Sequence, residues 1–304
     1  MTDLDTVCLI CNRTGMGPHL EILQRCPDCG FVTARIDAPL DARSLYEGDY
    51  FTGEEYLDYR ADEAFFRRNF ARRLKQILRR RSSGRLLELG AAYGFFLDLA
   101  RHHFEVVGYE VNPEAVRFAR EALHLDVRQD DFLAATTTDL GGPVDVTVLW
   151  DVIEHLDRPD RFIAHVAEVS RPGALLYVTT GDIGSRLARL RGRKWRMIHP
   201  PSHLHYFDRR TLPRLLANHG FRTLEVRSVG VARSFRQVLY SVLALGLKRP
   251  RAYDALKRFV PASWGFTLNT CDIMQVVAEK RGSGTSWLKP EPDWKGVETP
   301  HLGE

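Results

Sequence analysis

The chain has 304 residues, of which 44% are hydrophobic and 27% charged, with a formal net charge of +4. That composition excludes a disordered, fibrous or disulfide-dense chain and leaves room for one large domain or two smaller ones. The charge is too mild to imply nucleic acid by itself, although residues 67–85 gather nine Arg or Lys and residues 186–196 gather six. The longest apolar stretch, 238–247, has ten residues, against the ~20 that a bilayer span needs. Residues 1–6 lack the basic start and apolar run of a secretory leader. The expectation is a cytoplasmic protein whose cysteines stay reduced.

The first predicted unit, residues 1–40, is a pair of knuckles. Cys8-Leu-Ile-Cys11 and Cys26-Pro-Asp-Cys29 are separated by fourteen residues, a spacing that offers four thiolates to one tetrahedral Zn2+. So short a segment cannot bury a core alone, so a structural metal is expected to supply the missing stability. Four thiolates leave no open position, which argues against a catalytic zinc. Residues 41–84 follow as an aromatic linker, with Tyr46, Tyr50, Phe51, Tyr56 and Tyr59, and a helix over 61–81. On that helix Phe65, Phe66, Phe70, Leu74, Ile77 and Leu78 recur near helical spacing. The linker reads as packing onto the main domain or as a lid or substrate wall, and the basic cluster as the helix's solvated face in preference to a phosphate-binding patch.

From residue 85 the pattern changes. Strands over 85–89, 105–109, 126–129, 144–150 and 174–180 alternate with helices over 95–103, 113–123 and 159–170. Asn112 is placed to cap the second of these helices, and Pro113 stands at its first position. Wholly apolar strands alternating with helices predict an α/β fold with a parallel, doubly wound sheet. A helix over 211–219 and strands over 221–229 and 271–279 complete a domain spanning 85–280. Residues 231–268 are expected to form a helical insertion before the last strand, and Cys271 to lie in that strand's core. The tail, 281–304, is rich in Gly, Ser, Pro and charge and is expected to be disordered. No internal repeat is visible.

The chemistry-bearing motifs fall at the carboxyl ends of these strands, where doubly wound sheets bind ligands. Glu88-Leu-Gly90-Ala-Ala-Tyr-Gly94 ends the first strand. Its glycines permit a sharp turn and close approach to a ligand. The spacing differs from G-x-G-x-x-G, and Glu88 would repel a pyrophosphate but suit a cationic ligand. Glu110 ends the second strand, where a carboxylate can take both hydroxyls of a ribose. Asp131 follows the third strand, placed to accept from the exocyclic amine of a base, with Phe132 against the ring; a turn role is the competing reading.

This order, continued by Val148-Leu-Trp150-Asp-Val-Ile-Glu-His155, resembles the class I S-adenosylmethionine-dependent methyltransferases over roughly residues 60–280. The resemblance implies a Rossmann-like seven-stranded sheet whose last strand runs antiparallel, in a hairpin with the sixth. It also implies S-adenosylmethionine held by Glu88, Gly90, Gly94, Glu110, Asp131, Phe132 and Trp150. Ala92 stands where many members have a middle glycine.

The double knuckle, His199-Pro-Pro-Ser-His203-Leu-His205-Tyr-Phe207 and Asn218-His-Gly220-Phe221 are together similar to a bacterial subset of that family. Many of its members methylate sugars, lipids or natural-product intermediates, which implies a small-molecule acceptor. For a hydroxyl acceptor, His155 is placed as general base or orienting residue. His203 and His205 alternate, so an extended stretch points them to one side, as base or as a grip on the acceptor. Structural bonding is the competing reading for all three. His199 is a weaker candidate, and metal binding by these histidines is disfavoured because no carboxylate has clear ligand spacing with them. The second basic cluster suits either a phosphate on the acceptor or a solvated loop. Residues 238–247 and 255–260 suit an apolar lid or a dimer contact better than a membrane surface. One rival function is an RNA or protein methyltransferase that uses the knuckles as reader. The weak charge of residues 8–29, where Arg13 and Arg25 oppose Glu21 and Asp28, argues against it, and no nucleic-acid partner is expected. Another is a non-catalytic scaffold that binds S-adenosylmethionine.

Overall fold

In the computed structural model, residues 7–36, 62–261 and 264–282 are described. Residues 1–6, the aromatic linker with Tyr46, Tyr50, Phe51, Tyr56 and Tyr59, and residues 283–304 of the tail expected to be disordered lie outside the described residues. The elements in chain order are β1 (Gly17–His19), β2 (Leu23–Arg25), β3 (Val32–Ala34), α1 (Glu63–Leu78), β4 (Arg85–Leu89), α2 (Phe95–Ala100) and β5 (Glu105–Tyr109). Then come α3 (Pro113–Glu121), β6 (Val127–Arg128), β7 (Val144–Trp150), α4 (Pro159–Val169), β8 (Ser170–Gly181), α5 (Arg186–Arg191), β9 (His205–Tyr206) and α6 (Thr211–Asn218). The last are β10 (Phe221–Ser228), β11 (Val231–Ser234), α7 (Phe235–Tyr240), α8 (Pro250–Lys257), β12 (Gly265–Leu268) and β13 (Ile273–Lys280).

Seven strands form one sheet in the order β10-β13-β8-β7-β4-β5-β6. β4 to β8 pair in parallel, and β13 lies antiparallel between β8 and β10. Every residue of β7 is buried, as a central strand with helices on both faces requires. Phe70, Leu74 and Ile77 of α1 pack one face together with Phe95, Phe96 and Ala100 of α2. Ile163 and Val166 of α4 cover the other, with Leu212 and Leu216 of α6. Each of these Phe, Leu, Ile and Val side chains contributes about 1.5–3 kcal/mol by leaving water. The Asn112 side chain accepts the Ala115 N–H at 3.0 Å, capping α3 ahead of Pro113.

The knuckle segment is built into this core. β1, β2, β3 and β9 make a four-stranded antiparallel sheet, so β9 of the main fold completes the segment's ladder. Cys8, Ile10, Met16, Cys26 and Phe31 share one cluster with Phe207, Leu212 and Leu216. The Asn218 Nδ2 donates to the Ile10 carbonyl at 2.6 Å.

One expectation is extended and one needs correction. The stretch read as a helical insertion holds α7, a π-helical turn over 241–246 and α8, but β11 and β12 pair as an antiparallel ladder around them. Asn69 of α1 fixes that ladder: its Nδ2 donates to the Ala232 carbonyl and its Oδ1 accepts the Ala232 N–H. Four residues are too few for strand alternation to stand out. Cys271 is exposed at φ +57°, before β13 begins, rather than in a strand core. The buried neighbour is Asp272, which accepts the Trp195 Nε1–H at 2.9 Å.

Asp145, in β7, holds the lower edge of the sheet. Its carboxylate is 3% exposed, accepts the Arg85 N–H at 2.9 Å, and pairs with Arg81 and Arg171, each at 3.2 Å. Asp145→Ala strands that N–H and both guanidinium contacts, and is expected to cost about 2 kcal/mol in urea denaturation.

Candidate active site

β4 delivers Glu88 and the turn after it. Glu88 is 2% exposed, and its Oε2 has no hydrogen-bond partner among the described residues. Burial drives its carboxyl well above the usual range, with Arg73 opposing and Glu110 adding to the rise. Gly90 stands at φ +72°, where a Cβ would lie 2.4 Å from Val152 Cγ2. Gly94 stands at φ +79°, where a Cβ would lie 2.7 Å from Leu125 Cδ1. Ala92 also takes positive φ, +45°, at a cost of roughly 1 kcal/mol. Its N–H donates to Glu110 Oε2 at 2.7 Å, so a carboxylate holds alanine where glycine would turn freely.

Glu110 is the tie between the loop and the end of β5. Its Oε1 accepts the N–H groups of Val111 and Asn112 at 2.8 and 2.9 Å. Burial raises its carboxyl, and the three amide donors oppose that rise. Further along the same edge, Asp131 is exposed and its Oδ1 accepts the Leu133 N–H at 3.0 Å, capping a short turn over Phe132–Ala134. Phe132 is buried edge-on to Tyr109 at 5.3 Å and to His165 at 4.9 Å.

Trp150 ends β7, and its Nε1 has no partner among the described residues. The Arg73 guanidinium lies 4.7 Å over the indole and reaches Asp151 Oδ2 at 3.3 Å. Asp151 is held at φ +59° by bonds from its N–H to the Thr179 carbonyl and Oγ1. Strain of this kind persists where the surroundings over-determine it, and it concentrates at functional sites. Reading the first basic cluster as a solvated face therefore missed Arg73. Its only sequence signal is its place beside buried Leu74, three residues after Phe70.

Two chain segments bring the histidines in. Glu154 and His155 follow β7, and the Glu154 carbonyl accepts the N–H groups of Leu204 and His205 at 2.8 and 3.1 Å. That tie draws 199–205 against the strand end. The His155 and His203 rings lie 4.5 Å apart, and His199 packs on His203 at 3.8 Å. His155 Nδ1 donates to the Ser202 carbonyl at 2.8 Å, and His203 Nδ1 to the Met197 carbonyl at 2.9 Å. Burial lowers His155 to about 4 and His203 to about 2, so both are neutral near pH 7. Glu154, 2% exposed, is raised to about 8 by burial and by Asp151.

His205 does not join this pair. β9 pairs with β3, and that turns the ring onto Phe31 at 5.6 Å, with Thr33 Oγ1 at 3.1 Å from Nδ1 and the Asp157 carbonyl at 3.3 Å from Nε2. The expected alternation to one side fails because a second sheet claims the strand. Burial lowers His205 to about 4 from an ordinary 6.5. The unfolded chain therefore takes up a proton near pH 6.5 that the folded chain refuses until near pH 4. Stability is lost as pH falls through that window, by roughly 2 kcal/mol at pH 5 from this ring alone. Urea denaturation at pH 7 and pH 5 is expected to show a difference that shrinks by about that amount in His205→Gln.

The second basic cluster is partly spent on structure. Arg193 pairs with Glu21 of the knuckle segment, and Arg196 reaches buried Asp272 at 3.3 Å. In the knuckles the Cys8 and Cys29 sulfurs are 3.5 Å apart, those of Cys11 and Cys26 3.4 Å, and all four lie within 4.8 Å of one another. A tetrahedral ion with bonds of about 2.3 Å sets sulfurs about 3.8 Å apart. The four thiols fit such an ion. A shallow depression of about 430 Å3 lies beside them, between His19, Arg25, Asp28 and Arg210. No glycine-loop residue or candidate histidine lines it.

Fold and loop together define a Rossmann-like domain of the methyltransferase type. Residues 59–226, more than half of the chain, match the methyltransferase domain family, and the chain belongs to that family. It is 31% identical over 102 residues to the ubiquinone biosynthesis O-methyltransferase of Mesorhizobium japonicum, and 29% identical over 102 residues to that of a Chelativorans species. Each match covers 32% of this chain and 40% of the relative, so the chain spans about two fifths of the length of these curated relatives. A chain from the solved Haloferax volcanii Trm112 methyltransferase-activator complex superposes with a TM-score of 0.51 at 13% identity. That match covers 81% of this chain and 100% of the other, and it shows the fold. Among the described residues no helix is long and apolar enough to cross a membrane.

Proposed function

We propose that the chain is an S-adenosylmethionine-dependent methyltransferase acting on a hydroxyl of a small molecule, with a structural Zn2+ on Cys8, Cys11, Cys26 and Cys29. The observation that carries the reading is the Glu110 tie: one buried carboxylate organises the glycine loop of a methyltransferase-family domain at the sheet's carboxyl edge. The fit to the donor rests on the positive-φ turn at Gly90, packed so closely on Val152 that no Cβ is admitted, and on the unpartnered Glu88 Oε2. The name of the curated relatives, O-methyltransferases, supports oxygen as the atom methylated.

When bound, S-adenosylmethionine supplies a methyl group made electrophilic by its sulfonium. In this reading Glu110 offers its remaining lone pairs to the ribose hydroxyls. Asp131 receives the amine of the base, and Phe132 forms part of the wall behind it. Glu88 faces the cationic end, and the Arg73–Trp150 stack closes one side against water. The neutral imidazoles of His155 and His203, each fixed with its proton on Nδ1, offer Nε2 lone pairs to the acceptor's hydroxyl, and one of them takes its proton as the methyl group is transferred. His205 serves as a positioning residue between the knuckle sheet and the strand edge.

The test uses purified chain, tritiated methyl donor and extract of the host. Label in the small-molecule or lipid fraction is the expected result, and mass spectrometry then identifies the acceptor. Label in RNA or protein would replace this reading with one in which the knuckles read a macromolecule. Bound donor with no transferred label would leave the scaffold reading.

A further inference from the structure

Among the described residues, two groups of side chains converge as metal ligands do. One is the cysteine set; the other is Glu154, His155 and His203, whose ligand atoms all lie within 4.8 Å of one another. Glu154 is the unusual member. It is 2% exposed, and neither carboxylate oxygen makes a well-formed hydrogen bond among the described residues, the Thr180 side chain being the nearby group that partly offsets its burial. A buried carboxylate left unpaired is costly and calls for a ligand or an ion.

The histidines are already arranged around it. Each gives its Nδ1–H to a backbone carbonyl, Ser202 for His155 and Met197 for His203. Metal-bound histidines make that same outer contact: it fixes the tautomer and leaves Nε2 as the lone-pair nitrogen. Asp151, near enough to act on both Glu154 and His155, adds negative charge. His155 is half-buried, so the group opens on one side.

We propose that Glu154, His155 and His203 bind one first-row divalent transition cation, whose open positions take the acceptor's oxygen. Two imidazoles and one carboxylate suit such a cation better than Mg2+ or Ca2+, which take oxygen ligands. Three protein ligands leave positions free, as catalytic sites require. An ion about 2.1 Å from each ligand holds them roughly 3–3.5 Å apart, so binding draws the three together by less than about 2 Å. The Nε2 lone pairs then coordinate the ion and no longer take the hydroxyl proton themselves; the ion holds the acceptor's oxygen and makes its O–H more acidic, and the proton leaves to solvent water. The part of the inference that concerns the acceptor rests on the methyltransferase reading; the metal site does not. It also reverses the expectation from sequence, which found no carboxylate at ligand spacing. Glu154 and His155 are adjacent in sequence, and the completing ligand arrives from 199–205.

The test uses full-length chain with its knuckle metal retained and zinc content measured. Mn2+ alone is titrated and followed by electron paramagnetic resonance, with S-adenosylhomocysteine binding measured by calorimetry on the same samples. The expected result is one Mn2+ per chain beyond the knuckle ion. Loss of an outer contact to a metal ligand already costs about 10–100-fold in affinity. Loss of a ligand, in Glu154→Gln or His203→Gln, is therefore expected to weaken Mn2+ by about a hundredfold or more while the zinc content holds. Should a variant fail to fold, wild-type chain loaded with Co2+ is expected to show two exchangeable, paramagnetically shifted imidazole N–H signals. No Mn2+ binding by the wild type, binding that survives both substitutions, or absence of those signals would overturn the site. Mn2+ binding without S-adenosylhomocysteine binding would keep the metal site and overturn only the methyltransferase reading.

Discussion

Cys26→Ser is expected to release the proposed knuckle metal and to lower the stability of the whole chain in a single transition. The reason lies in the packing. Cys8, Ile10, Met16, Cys26 and Phe31 share a cluster with Phe207, Leu212 and Leu216 of the main fold. β3 and β9 also belong to one sheet. Structural zinc contributes about 10–16 kcal/mol of apparent binding free energy in small domains. Here part of that loss is offset, because the apolar contacts with α6 persist without the ion. A net cost of about 5 kcal/mol is expected, which lowers the melting temperature by roughly 10–20 °C for a fold of this size. Differential scanning calorimetry with zinc analysis checks it. A main transition left unmoved would mean that the knuckles unfold as a separate unit.

The second large effect is at Glu110. Glu110→Ala removes the acceptor for three amides, those of Ala92, Val111 and Asn112, and lets the loop around Gly90 relax. It also removes the carboxylate proposed for the ribose. Hydrogen bonds to a charged group contribute about 1.5–3 kcal/mol each, so S-adenosylhomocysteine affinity is expected to fall about a hundredfold or more. Glu110→Gln is no rescue. Its amide nitrogen must face either the Ala92 N–H or the Val111 and Asn112 pair, setting donor against donor. Calorimetric titration of wild type and both variants measures this. An affinity within about threefold of wild type in Glu110→Gln would remove Glu110 from the donor site.

Much of this was legible in the residues. The apolar run 144–150 needed no partner information to be read as a central strand, and all seven of its residues are buried. Asn112-Pro113 read as a helix start and makes that cap. The convergence of the four cysteines was legible because C-x-x-C spacing is local. Convergence over long sequence distance was not. His205 looked like a companion of His203, but pairing of β9 with β3 lies 172 residues away in sequence and decides where the ring goes. Glu154 looked like a neighbour of a candidate base until the 199–205 segment was seen to fold onto it. Arg73 looked solvated until Trp150 was found beneath it. Each of these depends on a contact between segments whose separate patterns carry no trace of one another.

Donor binding at the glycine loop is the central claim. A crystal structure of the chain with S-adenosylhomocysteine tests it. The predicted result is the ribose hydroxyls on the Glu110 carboxylate, the base beside Asp131 and Phe132, and the sulfur facing His155 and His203. Nucleoside bound elsewhere, such as in the depression beside the knuckles, or a glycine loop that stays empty at saturating ligand, would contradict it.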